Sequence, residues 1–534
     1  MYPNPSRAAA TATLAATIAA LFSTAPHAAD QQLDSVVVTA TRQATRSNEL
    51  TSDVSVITRA EIDQAGESTL AQLLARQPGI QYVANGGAGT NSGVFIRGAS
   101  TNQSIVLIDG QRIGSATTGS AALSRIPLDQ IERVEILRGP ASSLYGADAI
   151  GGVIQIFTRG GEGPTRLNAS SGYGSYNTTD TSVGVAGGTD VVSYSVQAGY
   201  LDTDGFNASN NRRNASYNRD RDGYYNKNLS ANFSVRPASG QEIGVNLLAS
   251  SGTNRYDAND FSALGAAQNY SSDQNVGSYS IYSRNRLHSA WTSTLRLGRS
   301  TDASKDYVGN VRDATFRTDM DLLSWQNDFR LPVGEALLAA EYTKQRVSGS
   351  TAYTVSERTI GSWLAGWNGN LDKHRLQLNL RRDNNSQFGG ETTGSASYGY
   401  QFTPQWRAHI AYGTAFRAPT FNELYFPASF FFAGGNPDLK PERARNTELG
   451  VNWEQGGHRA SAVIFNNEVS DLIEFRPPTF APVNVSQALL RGVTLTYDGR
   501  FTEWAGGVAV DFLDPRNEEN GPNKGNRLAR RADQ

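Results

Sequence analysis

The sequence predicts an all-β transmembrane barrel that follows a smaller α/β domain, and three observations lead to this fold class. The chain begins with an export signal, and no later run approaches the roughly 18 apolar residues that a membrane helix needs. From about residue 164 onward, short segments alternate apolar and polar residues with a period of two. The composition agrees, because 53 Gly, 22 Tyr and 21 Phe with only 38% hydrophobic residues suit many polar-faced strands with aromatic ends.

Residues 1–29 have the features of a secretory signal peptide. Arg7 supplies a positive charge, and Ala8 to Phe22 is an apolar, Ala-rich stretch followed by small residues that offer cleavage sites up to Ala29. This stretch is too short to span a bilayer as a helix. The sequence therefore predicts a protein that leaves the cytoplasm.

Residues 30–47 form a polar segment around one β-branched run, Asp34 to Ala40. Such a run favours an extended backbone, yet its polar flanks provide no evident partner strand. Because the open N–H and C=O groups of an unpaired strand recruit other chains, the run predicts a segment that adds a strand to another protein's sheet. An ordinary first strand of the next domain is the alternative, and for the run alone it is the simpler interpretation.

Residues 48–160 predict a mixed α/β domain. Val54 to Ile57 favours a strand, and Thr58 with Glu61 forms a capping box that opens a short helix. Ser68 is placed to cap a second helix, which Pro78-Gly79 ends. Three further strands are predicted over Ile105–Ile108, which an Asp109-Gly110 turn follows, Ile131–Leu137 and Val153–Phe157.

Residues 161–534 predict about 17 barrel strands, the last over residues 506–512. Strict alternation is clearest over residues 192–200, 375–381, 407–412 and 493–497. The polar side chains suit a water-filled lumen, and the apolar ones, which often end in Tyr, suit lipid and an aromatic girdle. A soluble sandwich or propeller is the alternative, but the fixed repeat signature of a propeller is absent from the sequence.

Composition and motifs exclude several other classes. The chain has no cysteine, so it forms neither disulfides nor thiolate metal sites, and its net charge of -2 gives no reason to expect nucleic acid. The five histidines are scattered, and the sequence contains neither His-Glu-x-x-His, Gly-x-Ser-x-Gly nor a phosphate-binding loop. The sequence therefore predicts a protein that is not an enzyme.

Several motifs resemble those of the TonB-dependent outer-membrane receptors. They are IVLIDG at 105–110, ERVEILRGP at 132–140, LYGADAIGGVI at 144–154, FRAPTFNELY at 416–425 and GNPDLKPE at 435–442. Together they span most of the chain. The resemblance implies a plug domain over residues 48–160 and a barrel of the 22-stranded type over residues 161–534. It also implies a monomer in the Gram-negative outer membrane, acting in TonB-dependent active transport.

The β-branched run is similar to the TonB box of this family. The matching residues are Asp34, Ser35, Val36, Val37, Val38, Thr39, Ala40 and Thr41. The resemblance implies TonB as the partner, which pairs with the box as an added strand and is powered by the inner-membrane proton gradient. Substrate binding outside the cell would make the box more available in the periplasm.

Within the family, the sequence is most similar to the cobalamin transporters. By position, their substrate contacts match Asn91, Gly93, Ser100, Thr118, Gly119, Ala258, Arg317 and Arg530. Several of these side chains differ in type, so backbone contacts would carry part of the role. A siderophore or another metal chelate is the alternative cargo. A passive pore, an adhesin or a non-functional fragment is the second alternative.

The same resemblance implies calcium in two extracellular loops. The matching positions are Asn207, Asp220, Asp222, Tyr256, Asp257 and Gln268. Asp220 and Asp222 offer carboxylates in alternate positions, which suits a hard cation. Asn207 stands where the family has Asp, and Gln268 or Asn269 stands where another Asp is expected, so that fewer negative charges predict weaker binding. Pairing of the carboxylates with Arg219 and Arg221 is the alternative.

The end of the sequence predicts an incomplete barrel. Relative to a 22-stranded barrel, roughly five strands, on the order of ninety residues, are missing. The polar residues 526–534 do not resemble a membrane strand. Two open edges in lipid leave backbone groups unpaired, each at a cost of several kcal/mol. We therefore expect poor membrane insertion of the chain as written.

Overall fold

The computed structural model describes residues 36–209, 217–258, 268–429, 432–501, 504–528 and 530–532. The predicted signal peptide and two residues of the predicted TonB box, Asp34 and Ser35, lie outside these ranges. Among the described residues, every helix is too short or too polar to cross a membrane.

The described chain opens with an N-terminal segment, residues 36–46, and continues into a small α/β domain. In the segment, β1 (Val36–Val37) pairs antiparallel with β2 (Thr45–Arg46). The domain contains β3 (Val54–Thr58), α1 (Arg59–Ala65), α2 (Leu70–Ala75), β4 (Ile80–Ala84), β5 (Ser92–Ile96), β6 (Ser104–Ile108), β7 (Gln111–Ile113), β8 (Ile131–Arg138), α3 (Ser142–Tyr145) and β9 (Gly152–Thr158). Its main sheet has the order β3-β8-β9-β6-β7, and β4 pairs with β5 separately.

Local sequence signals account for much of this domain. The capping box of Thr58 and Glu61 is present at the start of α1. The Asp109-Gly110 turn after β6 has φ angles of 49° and 82°, as a type I′ hairpin turn requires. The predicted cap of α2 is wrong by one residue, because the Thr69 hydroxyl, not Ser68, accepts from the Gln72 N–H at 3.3 Å. Because α2 begins at Leu70, the side chains of Leu70, Leu73 and Leu74 are buried in the core of the domain.

Within the described residues, seventeen antiparallel strands follow, in the number that the sequence pattern predicts. They are β10 (Arg166–Gly174), β11 (Thr178–Gly188), β12 (Val192–Thr203), β13 (Tyr224–Ala238), β14 (Gln241–Tyr256), β15 (Tyr270–His288), β16 (Trp291–Val308), β17 (Val311–Arg330), β18 (Glu335–Gly349), β19 (Glu357–Leu371), β20 (His374–Asn385), β21 (Gly389–Gln401), β22 (Trp406–Arg417), β23 (Glu442–Gln455), β24 (His458–Arg476), β25 (Ala481–Phe501) and β26 (Trp504–Asn517). One short helix, α4 (Phe421–Tyr425), lies between β22 and β23. Each strand pairs with its neighbours in chain order, and β10 and β26 are the sheet's edges within the described residues.

The two faces of the barrel wall differ as the alternation predicts. On β12, Ser195 and Gln197 are buried on the inner face, whereas Val196 and Tyr200 are exposed on the outer face. Aromatic pairs lie near the short turns at one end, with ring centroids 5.8 Å apart for Trp291–Phe329 and 6.3 Å apart for Trp406–Trp453. The described parts of the long connections, residues 204–209, 217–223, 257–258, 268–269, 418–429 and 432–441, lie at the other end. Short turns are periplasmic and long loops extracellular in such barrels.

The α/β domain lies inside the barrel and contacts its wall through polar side chains. The Gln130 amide donates to Asn228 at 2.6 Å, and the Gln103 amide donates to Glu442 at 2.7 Å. Arg97 forms an ion pair with Glu448 of β23 at 2.5 Å. Separate apolar clusters add to these contacts, for example Ile150 with Leu490 and Leu144 with Leu337. The barrel therefore holds the domain by hydrogen bonds and ion pairs together with several apolar patches.

Candidate functional site

The extracellular end of the inner domain packs closely against the loop between β12 and β13. Gly89 lies against the Tyr224 ring so closely that a Cβ would overlap the ring, and its φ of +79° also favours glycine. A Cβ on Gly87 would lie 3.4 Å from the Phe206 ring. The apex loop, residues 85–93, is therefore in contact with the same barrel loop that carries the predicted calcium ligands.

Of the five plug positions predicted to contact substrate, four lie in the connections around β5, β6 and β7, and Gly93 lies within β5. Asn91 and Thr118 are exposed, and the Asn91 carbonyl accepts from the Asn85 N–H at 3.1 Å. A Cβ on Gly119 would lie 3.0 Å from the Asn102 Cβ and 2.9 Å from the Thr420 methyl. Gly93 lies in β5, next to the Thr101 hydroxyl. These positions thus form a polar surface rich in small residues at the extracellular end of the plug.

Ser100 is linked to the C-terminal part of the described chain. Its hydroxyl accepts from the Arg531 guanidinium at 2.6 Å, and the Arg531 Nε donates to the Gly98 carbonyl at 3.0 Å. The neighbouring residue Arg530 is exposed, with a positive φ of 62°. The structure therefore brings Arg530 to the side of the plug where Ser100 lies.

Arg317 is not brought to this surface. The next residue, Thr318, is buried at 2% exposure, and its hydroxyl accepts from the Ala116 N–H of the plug at 3.0 Å. Because successive side chains of a strand point to opposite faces, Arg317 lies on the outer face of β17. There it forms an ion pair with Asp319 at 2.7 Å. A substrate-binding role for Arg317 conflicts with this orientation.

Three carboxylates meet in the loops beside the plug apex. Oxygen atoms of Asp220, Asp222 and Asp257 lie within 4.8 Å of one another. Asp222 accepts from the Ala208 N–H at 2.7 Å, but Asp220 Oδ1 and Asp257 Oδ2 are buried without a hydrogen-bond partner among the described residues. Burial, followed by the nearby charges of Asp222 and Asp220, raises the pKa of Asp257 to about 6.

The arginines between these carboxylates do not neutralise them. Arg221 instead pairs with Asp204 at 2.9 Å, and Arg219 forms no ion pair with a carboxylate in the described ranges.

Ala258 directly follows Asp257, and Asn207 accepts from the Ser209 N–H at 2.9 Å. Tyr256 packs on Tyr270 with ring centroids 5.8 Å apart. Within the described chain, Gln268 forms no hydrogen bond to the three carboxylates.

At the periplasmic side, the N-terminal segment is folded into the protein. Glu135 Oε2 accepts from the N–H groups of Val38 and Thr39 at 2.9 Å each and from the Thr39 hydroxyl at 2.7 Å. The Tyr145 hydroxyl donates to the Thr39 carbonyl at 2.9 Å, and the Gln377 amide donates to the Ala40 carbonyl at 3.0 Å. Val37, Thr39, Ala40 and Thr41 are all buried.

The expectation of an unpaired run is therefore wrong for its described part. Val36 and Val37 pair with Arg46 and Thr45, because the chain reverses between them and returns alongside. The barrel wall adds anchors, since Arg42 forms an ion pair with Glu341 at 2.7 Å and the Gln43 amide donates to Asp328 at 3.0 Å. The segment is thus sequestered between plug and wall rather than free in solvent.

Sequence reasoning did not single out Glu135, although a signal for it exists. It lies in β8, where Val134, Ile136 and Leu137 are also buried, and its own side chain has 0% exposure. A carboxylate on a buried strand normally needs specific partners. Here the partners are Arg133 at 3.0 Å and the N-terminal segment.

Both the α/β domain and the barrel match known protein families. Residues 46–153 match the family model for the TonB-dependent receptor plug domain, and residues 145–534 match the TonB-dependent receptor-like β-barrel. The vitamin B12 transporter BtuB of Photobacterium profundum is 31% identical over 505 residues, covering 92% of this chain and 80% of the relative. BtuB of Vibrio vulnificus is 29% identical over 507 residues with the same two coverages.

Solved structures with the same fold include receptors for other cargoes. The siderophore receptor PirA of Acinetobacter baumannii aligns with a TM-score of 0.72 at 20% identity, covering 89% of this chain and 82% of that one. A mutant ferric enterobactin receptor, PfeA, of Pseudomonas aeruginosa aligns with a TM-score of 0.73 at 21% identity, covering 90% and 81%. At these identities the likeness concerns the fold alone.

Proposed function

The chain belongs to the TonB-dependent outer-membrane receptors, and from this premise we propose that it imports cobalamin or a related corrinoid. Members of the family are receptors and transporters of the outer membrane rather than enzymes. The observation that carries the proposed cargo is the similarity to vitamin B12 transporters over 92% of the chain. The siderophore receptors share the fold at only about 20% identity.

The plug apex is the proposed corrinoid site. Asn91 and Thr118 present exposed polar side chains, and Gly93 and Gly119 let Thr101, Asn102 and Thr420 pack closely beside them. Ser100 and Arg530 would extend this surface towards the C-terminal part of the chain, and Ala258 towards the barrel loops. A large polar cargo that contacts several loops at once would hold the apex and the loops together.

The N-terminal segment is the proposed coupling device. Its burial against Glu135 supports a closed state in which TonB lacks access to the box. Cargo binding at the apex would shift the population towards a state with the segment released into the periplasm. TonB would then add a strand to it and pull. Neither step makes or breaks a covalent bond.

Calcium is proposed as a ligand of the three loop carboxylates. Two buried carboxylate oxygens without partners fit a hard cation, as does the three-carboxylate donor set of Asp220, Asp222 and Asp257. The ion would offset the burial and the mutual repulsion that together raise the pKa of Asp257. It would thereby fix the loop that packs on the plug apex.

Binding and uptake measurements test the cargo. We expect purified receptor to bind cyanocobalamin and not a ferric catecholate siderophore. The Asn91→Ala and Thr118→Ala pair should weaken binding about tenfold or more, since each polar contact contributes roughly 1 kcal/mol. Arg317→Ala is the matched control, because its side chain points away from the plug. Binding of only the ferric chelate would favour the siderophore alternative.

Deletion of residues 34–41 tests the coupling. We expect cells to lose cobalamin uptake while surface binding is retained, because the deletion removes the handle and leaves the apex intact. Uptake that persists after the deletion, or in cells without TonB, would identify a passive pore instead.

A further inference from the structure

A cavity of about 550 Å³ lies between the plug and one side of the barrel wall. Its outer boundary is the inner face of β14 to β20, and along β17 it extends from Arg330 at the periplasmic turn to Met320. The ten residue-to-residue steps from Met320 to Arg330 correspond to roughly 33 Å of strand. Thr292, Thr294, Ser324 and Gln326 make this wall polar and suitable for a hydrated solute.

The N-terminal segment forms part of the opposite boundary of this cavity. Val38, Arg42, Gln43 and Ala44 all line it, next to Tyr145 of the plug. The same segment is the part of the chain on which TonB would pull. Withdrawal of the segment would therefore enlarge this cavity directly, before any strand of the plug's main sheet has to separate.

A thin layer of side chains closes the extracellular end of the cavity. Arg112, Met320 and Gln345 line both this cavity and a much smaller gap of about 20 Å³ above it. The small gap is lined in turn by Asn102 and Gly119 of the plug apex. The three shared side chains, which we call the septum, thus separate the apex surface from the lower cavity.

Few contacts hold the septum. Arg112 pairs with Asp148 and donates to the Ala147 carbonyl at 2.9 Å, all within the plug. Gln345 contacts the Met320 sulfur at 4.0 Å and accepts from Arg358 Nε at 2.5 Å, all within the wall. These contacts stay within the plug or within the wall, whereas the neighbouring links between the two are single hydrogen bonds, such as those from the Ala116 N–H to Thr318 at 3.0 Å and from the Ala418 N–H to Asp148 at 3.1 Å. Plug and wall therefore separate here once these few hydrogen bonds break.

We propose that cargo crosses the membrane along this one side, between the plug and β15–β18, and that Arg112, Met320 and Gln345 form its gate. The inference rests on the proposed transport function and adds a route to it. Pulling on the N-terminal segment widens the lower cavity, the septum separates, and cargo moves from the apex to the periplasm while the opposite side of the plug stays bound to the wall.

Single-cysteine labelling tests the route, because the chain has no native cysteine. Thr294→Cys places a thiol in the cavity, and Ser461→Cys places one at a similar depth on the inner face of β24, outside it. After coupling to a bulky maleimide, Thr294→Cys should lose at least tenfold in cyanocobalamin uptake with surface binding unchanged. Labelled Ser461→Cys should stay within twofold. Equal uptake by both, or equal loss in both, would overturn the route.

A dye-leak measurement tests the septum and uses no corrinoid. A negative result would therefore count against the septum itself and not against the proposed cargo. We compare Met320→Ala/Gln345→Ala with Leu337→Ala/Leu364→Ala, a control pair that is also buried on the wall but packs on Leu144 away from the cavity. In cells without TonB, the septum variant should admit a small hydrophilic dye several-fold faster than wild type. A leak no faster than the control's would overturn the proposal.

Discussion

Glu135 is a fully buried carboxylate that accepts three hydrogen bonds from the N-terminal segment and one from Arg133. Buried polar groups are costly to leave unpaired, at roughly 1–3 kcal/mol each. The segment also buries Val37 and Ala40 against Leu137 of the plug. Glu135 therefore contributes the largest single set of hydrogen bonds to the predicted TonB box, beside the Tyr145 and Gln377 hydrogen bonds and this small apolar contact.

Glu135→Ala should release the segment without cargo. The lost acceptor shifts the equilibrium by about 2 kcal/mol, or roughly 30-fold. A spin label on Val36→Cys, a half-exposed position, should become mobile in this background. Glu132→Ala, on the same strand but exposed, is the control and should leave the label immobile. An immobile label in Glu135→Ala would show that other contacts hold the segment.

The acidic cluster predicts pH-dependent calcium binding. The pKa of Asp257 is raised to about 6. Without metal, the folded arrangement of these loops is therefore most stable when Asp257 is protonated, and it loses stability as the pH rises through 6. Calcium requires the ionised form. Affinity measured by titration calorimetry should therefore fall about tenfold from pH 7.5 to pH 5. Asp257→Asn should bind more weakly at pH 7.5 and lose most of this dependence. A calcium affinity that does not change with pH would contradict the proposed role of Asp257 as a calcium ligand.

At the scale of elements, buried charges organise the loop between β22 and β23. Arg417, with 1% exposure, pairs with Glu423 of α4 at 3.1 Å and with Glu442 at the start of β23 at 2.7 Å. Thr420 caps α4 through a capping box with the same Glu423. The two strands and the helix are thus joined by one guanidinium, close to the plug apex.

Arg417→Ala should destabilise the receptor strongly. It leaves two buried carboxylates without their partner, and breaking such a pair costs about 3–5 kcal/mol. Arg443→Ala removes a half-exposed arginine that pairs with Glu391 nearby, and should cost less than about 1 kcal/mol. Urea unfolding in lipid or detergent, followed by tryptophan fluorescence, compares the two variants. Similar losses would mean that the buried network contributes little.

For the whole molecule, the polar plug–wall interface connects the two functional ends. Contacts such as Gln130–Asn228 and Arg97–Glu448 are directional, so the plug is held in one orientation. At the same time, water is able to replace hydrogen-bonded contacts when parts of the plug move. This interface therefore suits a domain that must be both well positioned and displaceable.

Coupling between cargo binding at the plug apex and release of the N-terminal segment must be reciprocal, because each equilibrium shifts the other by the same factor. If cobalamin binding releases the N-terminal segment, Glu135→Ala, which releases it independently, should raise the affinity for cobalamin by up to the same factor. Equilibrium titration of wild type and Glu135→Ala measures this. An unchanged affinity, together with a mobile segment, would show that the ends are energetically independent.

Features that depend on local chemistry can be predicted from residue type alone. The period-two alternation is enough to predict the barrel strands, since lipid and lumen impose opposite demands on successive side chains. The Thr58 capping box and the Asp109-Gly110 turn follow equally from residue type. Other features depend on contacts between distant parts of the folded chain. Whether Arg317 faces cargo or the outside depends on strand register, and the burial of Val37 to Thr41 depends on Glu135, about a hundred residues away. Such long-range pairings leave little trace in a single sequence, because many acidic residues are equally plausible partners until folding brings one within hydrogen-bonding distance.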